Sequence, residues 1–308
     1  DEISASASVS ILKQPVKDLA QEIPKDLLTK IMGASRPLLL LGGGVNFDLA
    51  HEFAKTAERW KLPIACTWTG ADRCNFDYPY FAGRPNTYGM RWANTIIQQS
   101  DLLITFGARL GLQQTGFAWQ EFVPEGKIIR IELDEKEIAL KQPQTYLDIH
   151  MDAGEALSLM LAQIRKTNLK IETVRWLEFI KDVRESLPIV EDATFQYPDH
   201  VNPFELVSEL STLLNAEDKV IPCSSGGAYT TMMQAFEQKN GQLLTNNKGL
   251  ASMGYGLAGA IGTSVAHPES RTVLVEGDGG FAQNLSELRT VQNRELNLKV
   301  FIFSNMGY

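Results

Sequence analysis

Short apolar runs, too apolar for a surface, recur along this chain between stretches of helical periodicity, and they restrict it to one fold class. Pro37 to Leu41 is apolar throughout and ends in Gly42-Gly43-Gly44. Leu62–Thr67, Asp101–Phe106, Lys127–Leu133, Lys219–Cys223, Thr272–Glu276 and Leu298–Phe303 have the same character. Between them the spacing predicts helices at Leu49–Trp60, Ala93–Gln99, Pro203–Leu214, Tyr229–Gln238 and Asn284–Asn293, with a first helix over Ile23–Met32. A strand that is apolar on both faces must be covered on both faces. Strands of that kind alternating with helices make an α/β fold, a parallel sheet wound on both sides.

The pattern runs twice. With 308 residues the chain has room for about two domains of ordinary size. Residues 1–14 are rich in Ser and Ala and read as a tail or linker. Residues 15–165 form a first doubly wound domain. Residues 166–202 form a linker carrying an amphipathic helix with Val174, Leu177, Ile180 and Val183 on one side, and Pro188 to Pro203 marks the boundary. Residues 203–308 begin a second doubly wound domain, which stops at Tyr308 straight after a strand, so the expectation is a chain cut at this end.

The net charge of −8 argues against an unaided nucleic-acid surface, which needs clustered Lys and Arg. No apolar run approaches the length that spans a bilayer, and no charged-then-apolar leader opens the sequence. Cys66, Cys74 and Cys223 form no CxxC pair, so they read as buried or idle thiols in a reducing cytosol. His51, His150, His200 and His267 show no clustering by spacing.

The chemistry concentrates in the last strand–helix–strand unit. Gly277-Asp278-Gly279-Gly280 follows one strand, and Ser304-Asn305-Met306-Gly307-Tyr308 follows the next. Parallel strands joined by a right-handed crossover end on one edge of the sheet, so Asp278 and Asn305 come to one crevice. A carboxylate and an amide oxygen suit a hard cation such as Mg²⁺, which takes phosphate oxygens as further ligands. Glycines beside Asp278 let a phosphate approach the backbone. Alone, Gly-Asp-Gly is an ordinary turn with a capping Asp; the pairing with Asn305 changes that reading.

Gly277-Asp278-Gly279 with its Asn 27 residues on resembles the thiamine-diphosphate signature, GDG-x(about 26)-NN. Phe281, Glu287-Leu288 and Thr290 agree with the helix that follows it, and Gly249 to Gly262 is similar to that family's G-x-x-x-MGxGLPAAIG run. The whole arrangement is similar to the acetolactate synthase/pyruvate oxidase branch. There a pyrimidine-binding, a central and a diphosphate-binding domain share the work. In the first domain here, Arg36-Pro37, Gly42-Gly43-Gly44, Leu62-Pro63-Ile64, Gly83, Asp101 and Gly107-Ala108-Arg109 match landmarks of the central domain.

The resemblance implies that Asp278 and Asn305 hold Mg²⁺ through side chains and Gly307 through its carbonyl. Gly277, Gly279 and Gly280 would border the diphosphate, with Gly226, Gly227, Ala228 and Tyr229 where the family has a G-Q-H loop. Met253 would prop the bent cofactor, and the Ala251 carbonyl would accept from its 4′-amino group. Ser304 stands for the first Asn of the pair, Ala258 for the usual Pro, and Ala228-Tyr229 for Gln-His.

The implied activity is decarboxylation of a 2-oxo acid such as pyruvate, with the carbanion passed to an acceptor or protonated. The activating Glu is expected on the pyrimidine domain of a partner subunit, in a homodimer or homotetramer. No catalytic residue is therefore assigned here, and this chain alone is expected to bind rather than turn over. A different class remains open: a nucleotide- or flavin-binding α/β protein using Gly42–Gly44, although that triplet lacks the G-x-G-x-x-G register and reads more readily as a tight turn. FAD is possible but unsupported by any motif.

Overall fold

The computed structural model describes residues 23–24, 26–167, 173–191, 199–223 and 225–306. The expected tail at 1–14 and the expected metal ligand Gly307 lie outside the described residues.

The first sheet follows from the apolar runs. The opening elements are α1 (Leu27–Gly33), β1 (Pro37–Leu41), α2 (Phe47–Ala57), β2 (Ile64–Cys66), α3 (Arg91–Gln99) and β3 (Leu102–Phe106). After them come α4 (Leu112–Thr115), β4 (Lys127–Glu132), α5 (Glu135–Ala139), β5 (Leu147–His150) and α6 (Ala153–Lys166). The strands pair in the order β2-β1-β3-β4-β5, all parallel. Every residue of β1 and β3 is buried, as double-sided cover requires. The strand order turns back between β1 and β3, which opens a crevice at their carboxyl ends.

Gly42 lies at that edge, where a Cβ would overlap the Gly107 carbonyl. A residue with any side chain there would push the ends of β1 and β3 apart, so close packing already explains this glycine. β5 and α6 are elements that the apolar runs do not announce. β5 is an edge strand with only Ile149 buried. The signal for α6 is its cap: Asp152 accepts from the Glu155 N–H at 2.9 Å, ahead of a buried face of Ala156, Leu157, Met160, Leu161 and Ile164.

Helix α7 (Val174–Ser186) packs back on the first sheet's core, its Trp176 Nε1 donating to the Pro37 carbonyl at 3.0 Å. The second sheet is formed by α8 (Pro203–Leu213), β6 (Lys219–Ile221), α9 (Gly226–Ala235), α10 (Tyr255–Ala266), β7 (Thr272–Gly277), α11 (Asp278–Ala282), α12 (Leu288–Asn293) and β8 (Leu298–Phe303). Its order is β6-β7-β8, all parallel. Several boundaries differ from the sequence reading, α9 among them, which runs Gly226–Ala235 where Tyr229–Gln238 was expected. β6 stops at Ile221 because Pro222 has no N–H for the ladder and Cys223 adopts a left-handed φ of 62°. A helical turn starts at once at Asp278, ahead of the expected start at Asn284. Among the described residues no helix is long and apolar enough to cross a membrane.

The loop after β2 joins the two sheets. Arg84, fully buried, donates from Nε to the Met233 carbonyl at 2.8 Å, from Nη1 to Gln238 Oε1 at 2.8 Å and from Nη2 to the Phe236 carbonyl. No carboxylate faces it in these bonds. Burial lowers its pKa to about 10, so it stays charged at neutral pH. Gln238 in turn donates to the carbonyls of Ala71 (2.9 Å) and Cys74. Asp72, paired with Arg73, accepts from the Leu244 N–H at 3.0 Å. Trp68 and Ala71 sit in the core of the second sheet, not the first.

Arg84→Met would leave three buried acceptors without donors, so denaturant titration should show a loss of about 3 kcal/mol. An unshifted midpoint would contradict the role given to Arg84. Burial also holds the Asp72 carboxyl above the usual range, against the pull of Arg73. The folded state therefore binds this proton more tightly than the unfolded chain. The stability it contributes is present below the ordinary carboxylate pKa and is lost as pH rises through the raised value. Asp72→Asn keeps an oxygen for Leu244, so its thermal midpoint should vary less than the parent's from about pH 4 to 7; parallel curves would contradict this.

Candidate cofactor site

The register of β7 on β8, from Thr272 opposite Leu298 to Gly277 opposite Phe303, brings both chemical segments to one edge. Asp278 Oδ2 accepts from the Asn305 N–H at 3.1 Å and from Ser304 Oγ at 3.4 Å. Its Oδ1 accepts from the Gly279 N–H at 2.8 Å. The carboxylate is thus held by donors of its own turn and of the turn after β8. The contact to Asn305 runs through the backbone, and the Asn305 side chain stands exposed.

β6 runs beside β7, which sets the turn before α9 next to Asp278. A Cβ added at Gly226, Gly227 or Gly277 would meet nothing within 4 Å, and Gly226 has φ of 71°. These three glycines border open space, as a phosphate cradle needs. Ala228 and Tyr229 are buried instead. The Tyr229 hydroxyl donates to Asn246 Oδ1 at 3.1 Å, and its ring meets Trp68 edge-on at 5.2 Å between centroids. It therefore faces the joint between the sheets.

The segment before α10 approaches from the other side. Ala251 has φ of 53°, and Met253 is 45% exposed. Asn284 Nδ2 donates to the Gly254 carbonyl at 2.8 Å, tying this segment to the turn after α11. Gly254 has φ of 84° and would press a Cβ on Asn284, so it has to be glycine.

Glu276 sits under the whole arrangement. It is 2% exposed; its Oε1 accepts from the Gly277 N–H at 3.2 Å and from the Cys223 thiol. Its Oε2 lies against Gly256, whose backbone amide helps hold the carboxylate. Burial, the largest influence, pushes its carboxyl up. A Cβ at Gly256 or at Gly280 would run into this side chain. Gly280 is therefore spent on packing against Glu276 as well as standing beside the expected diphosphate. Glu276 and Asn284 escape a motif reading because each acts by filling or bridging, which leaves no spacing signal.

The donor set fits a hard cation: a carboxylate and an exposed amide oxygen beside open backbone, with room for waters and phosphate oxygens. Among the described residues no group of three or more His, Cys, Asp or Glu could hold a metal. The three cysteines are buried thiols, and burial pushes Cys66 up to about 12. His51 Nε2 lies 2.7 Å from the Asp72 carbonyl and His150 Nε2 lies 3.0 Å from that of Leu133.

Two family models match the chain. Residues 25–160 match "Thiamine pyrophosphate enzyme, central domain", and residues 225–308 match "Thiamine pyrophosphate enzyme, C-terminal TPP binding domain". The acetolactate synthase large subunit of Cyanidium caldarium is 31% identical over 281 residues, 89% of this chain and 46% of that protein. The probable acetolactate synthase large subunit of Methanocaldococcus jannaschii is 31% identical over 283 residues, with the same shares. The acetolactate synthase isozyme 1 large subunit of Escherichia coli K12 is 26% identical over 289 residues, 93% of this chain and 49% of that protein. The chain thus spans about half the length of the curated relatives it matches. With its two parallel sheets and the Asp278–Asn305 edge, it belongs to the thiamine pyrophosphate enzymes, of which it carries the central domain and the C-terminal TPP binding domain.

Proposed function

We propose that this chain holds the diphosphate end of thiamine diphosphate, with Mg²⁺, in an acetolactate synthase-like enzyme acting on a 2-oxo acid such as pyruvate. The observation that carries this reading is the Asp278 carboxylate meeting the Asn305 amide at the carboxyl edge of β7 and β8. Asp278 and the Asn305 side chain would be metal ligands, with the Gly307 carbonyl as a third. Gly226, Gly227, Gly277 and Gly279 would admit the diphosphate close to the backbone, and Gly280 would border it. Ala228 and Tyr229 would support that loop from behind.

When bound, thiamine diphosphate supplies the electron sink for loss of CO₂ from the 2-oxo acid. The residues of this chain bind and orient. Met253, half exposed beside the cradle, would prop the bent cofactor, and the Ala251 carbonyl would accept from its amino group. No residue here is assigned the activating base; that proton transfer needs a carboxylate within hydrogen-bond reach of the ring. We place that carboxylate on a pyrimidine-binding domain of a partner subunit, in a homodimer or homotetramer. The buried thiols, none of them in a disulfide, suit a reducing cytosol.

Calorimetric titration tests the cradle. The chain should bind thiamine diphosphate only with Mg²⁺ present. Asp278→Ala should abolish that binding, because it removes the single charged ligand, and Asn305→Ala should weaken it by about tenfold, the worth of roughly one ligand bond. FAD and NAD serve as controls. Mg²⁺-dependent binding that survives in Asp278→Ala would overturn the assignment. Met253→Ala should lower turnover of the assembled enzyme more than it lowers cofactor affinity; equal turnover at saturating cofactor would return Met253 to an ordinary packing role.

A further inference from the structure

At the end of α9 remote from Gly226, roughly 14 Å along the helix, a pocket of about 300 Å³ lies between α3, α7 and α8. Its size falls at the small end of ordinary ligand pockets. Phe76, Trp92, Ile189 and Val190 give it apolar walls, and Ser208 adds a hydroxyl. No residue assigned to the cofactor lines it.

Two opposite charges, Arg184 and Glu237, line this pocket without pairing. Arg184 makes no ion pair and no hydrogen bond among the described residues. Its guanidinium stands over two rings instead, 4.7 Å from the centroid of Phe76 and 5.3 Å from that of Trp92. Burial pulls it below the ordinary arginine range, and Glu237 opposes that shift only from a distance. Glu237 is exposed; its N–H donates to Ser211 Oγ at 3.0 Å, and its carboxylate makes no ion pair among the described residues. Arg91, close by on α3, is already paired with Glu191.

The frame is set before any ligand arrives. Arg91 Nη2 donates to the Pro188 carbonyl at 2.8 Å, which pins the chain after α7 to α3. The Phe76 N–H donates to the Gln238 carbonyl at 3.1 Å, and the buried Trp92 ring meets Phe81 edge-on at 6.2 Å between centroids. A ring face attracts the charge of a guanidinium but offers no lone pair to its five N–H donors. A carboxylate supplies both, in a two-pronged pair. A ligand carrying a carboxylate alone would set a second negative charge beside Glu237, whereas one that also carries an ammonium satisfies both walls.

We propose that this pocket binds a small zwitterion, an α-amino acid with an apolar side chain: Arg184 receives the carboxylate, Glu237 the ammonium, and the apolar walls the side chain. The site stands apart from the thiamine diphosphate reading, because neither Asp278 nor the glycine cradle takes part in it.

The test is calorimetric titration of the chain, without Mg²⁺ or thiamine diphosphate, with L-phenylalanine, L-phenylalaninamide and 3-phenylpropionate. The amide lacks the carboxylate, and the propionate lacks the ammonium. The parent should bind phenylalanine about tenfold more tightly than the amide, the worth of one charge-assisted contact, and about threefold more tightly than the propionate, since Glu237 is exposed. Arg184→Met, its fold checked by circular dichroism, should bring phenylalanine down to the level of the amide, and Arg184→Lys should recover part of the difference. Glu237→Gln should erase the preference over the propionate and keep the preference over the amide. Should Arg184→Met not fold, Arg184→Lys and the exposed Glu237→Gln carry the test. No binding of phenylalanine by the parent, or equal binding of all three compounds, would overturn the proposal. So would preferences that survive unchanged in the variants.

Discussion

Parallel pairing of β7 with β8 is the constraint on which the cofactor site depends. Six consecutive residue pairs, ending at Gly277 and Phe303, fix the register. One step beyond each strand end lie Asp278 and Ser304-Asn305, so residues 27 apart in sequence become hydrogen-bonded neighbours. A slip of one residue would turn the side chains of β8 to the opposite face and carry Asn305 away from the carboxylate. Glu276 of β7 and Cys223, just past β6, brace the same edge, and Gly256 and Gly280 leave room for the buried carboxyl. Binding chemistry and sheet geometry are therefore one problem here.

The joint between the two sheets adds a second level. Arg84, Gln238 and Asp72 stitch the loop after β2 to the end of α9 and the segment that follows it through buried hydrogen bonds. That stitching seats Trp68 in the second sheet's core and holds Lys248 over it. A cleft at this joint is lined from both sides, by Arg109 and Trp119 from the first sheet's loops and by Lys248 and Gly249 from the second's.

Much of this was legible in the residues. The apolar runs gave β1, β3, β4, β7 and β8 to within a residue or so, because burial on both faces leaves an unmistakable composition. The pairing of Asp278 with Asn305 was legible because parallel strands share an edge. β5 was not, since an edge strand with a single fully buried residue has no apolar run. Nor was the ring contact of Tyr229 with Trp68 from the other sheet, since residues 161 apart in sequence leave no spacing signal. Arg84 gave no signal at all. Nothing in Gly83-Arg84-Pro85 foretells that three acceptors from residues 233–238 converge on one guanidinium.

The most direct measurement of the central claim is a crystal structure of the chain grown with thiamine diphosphate and Mn²⁺ in place of Mg²⁺, read by anomalous scattering. The account predicts one strong peak within about 2.5 Å of an Asp278 carboxylate oxygen and of the Asn305 amide oxygen, with diphosphate density beside Gly226 and Gly277. An ion bound elsewhere, with the diphosphate away from that edge, would contradict it.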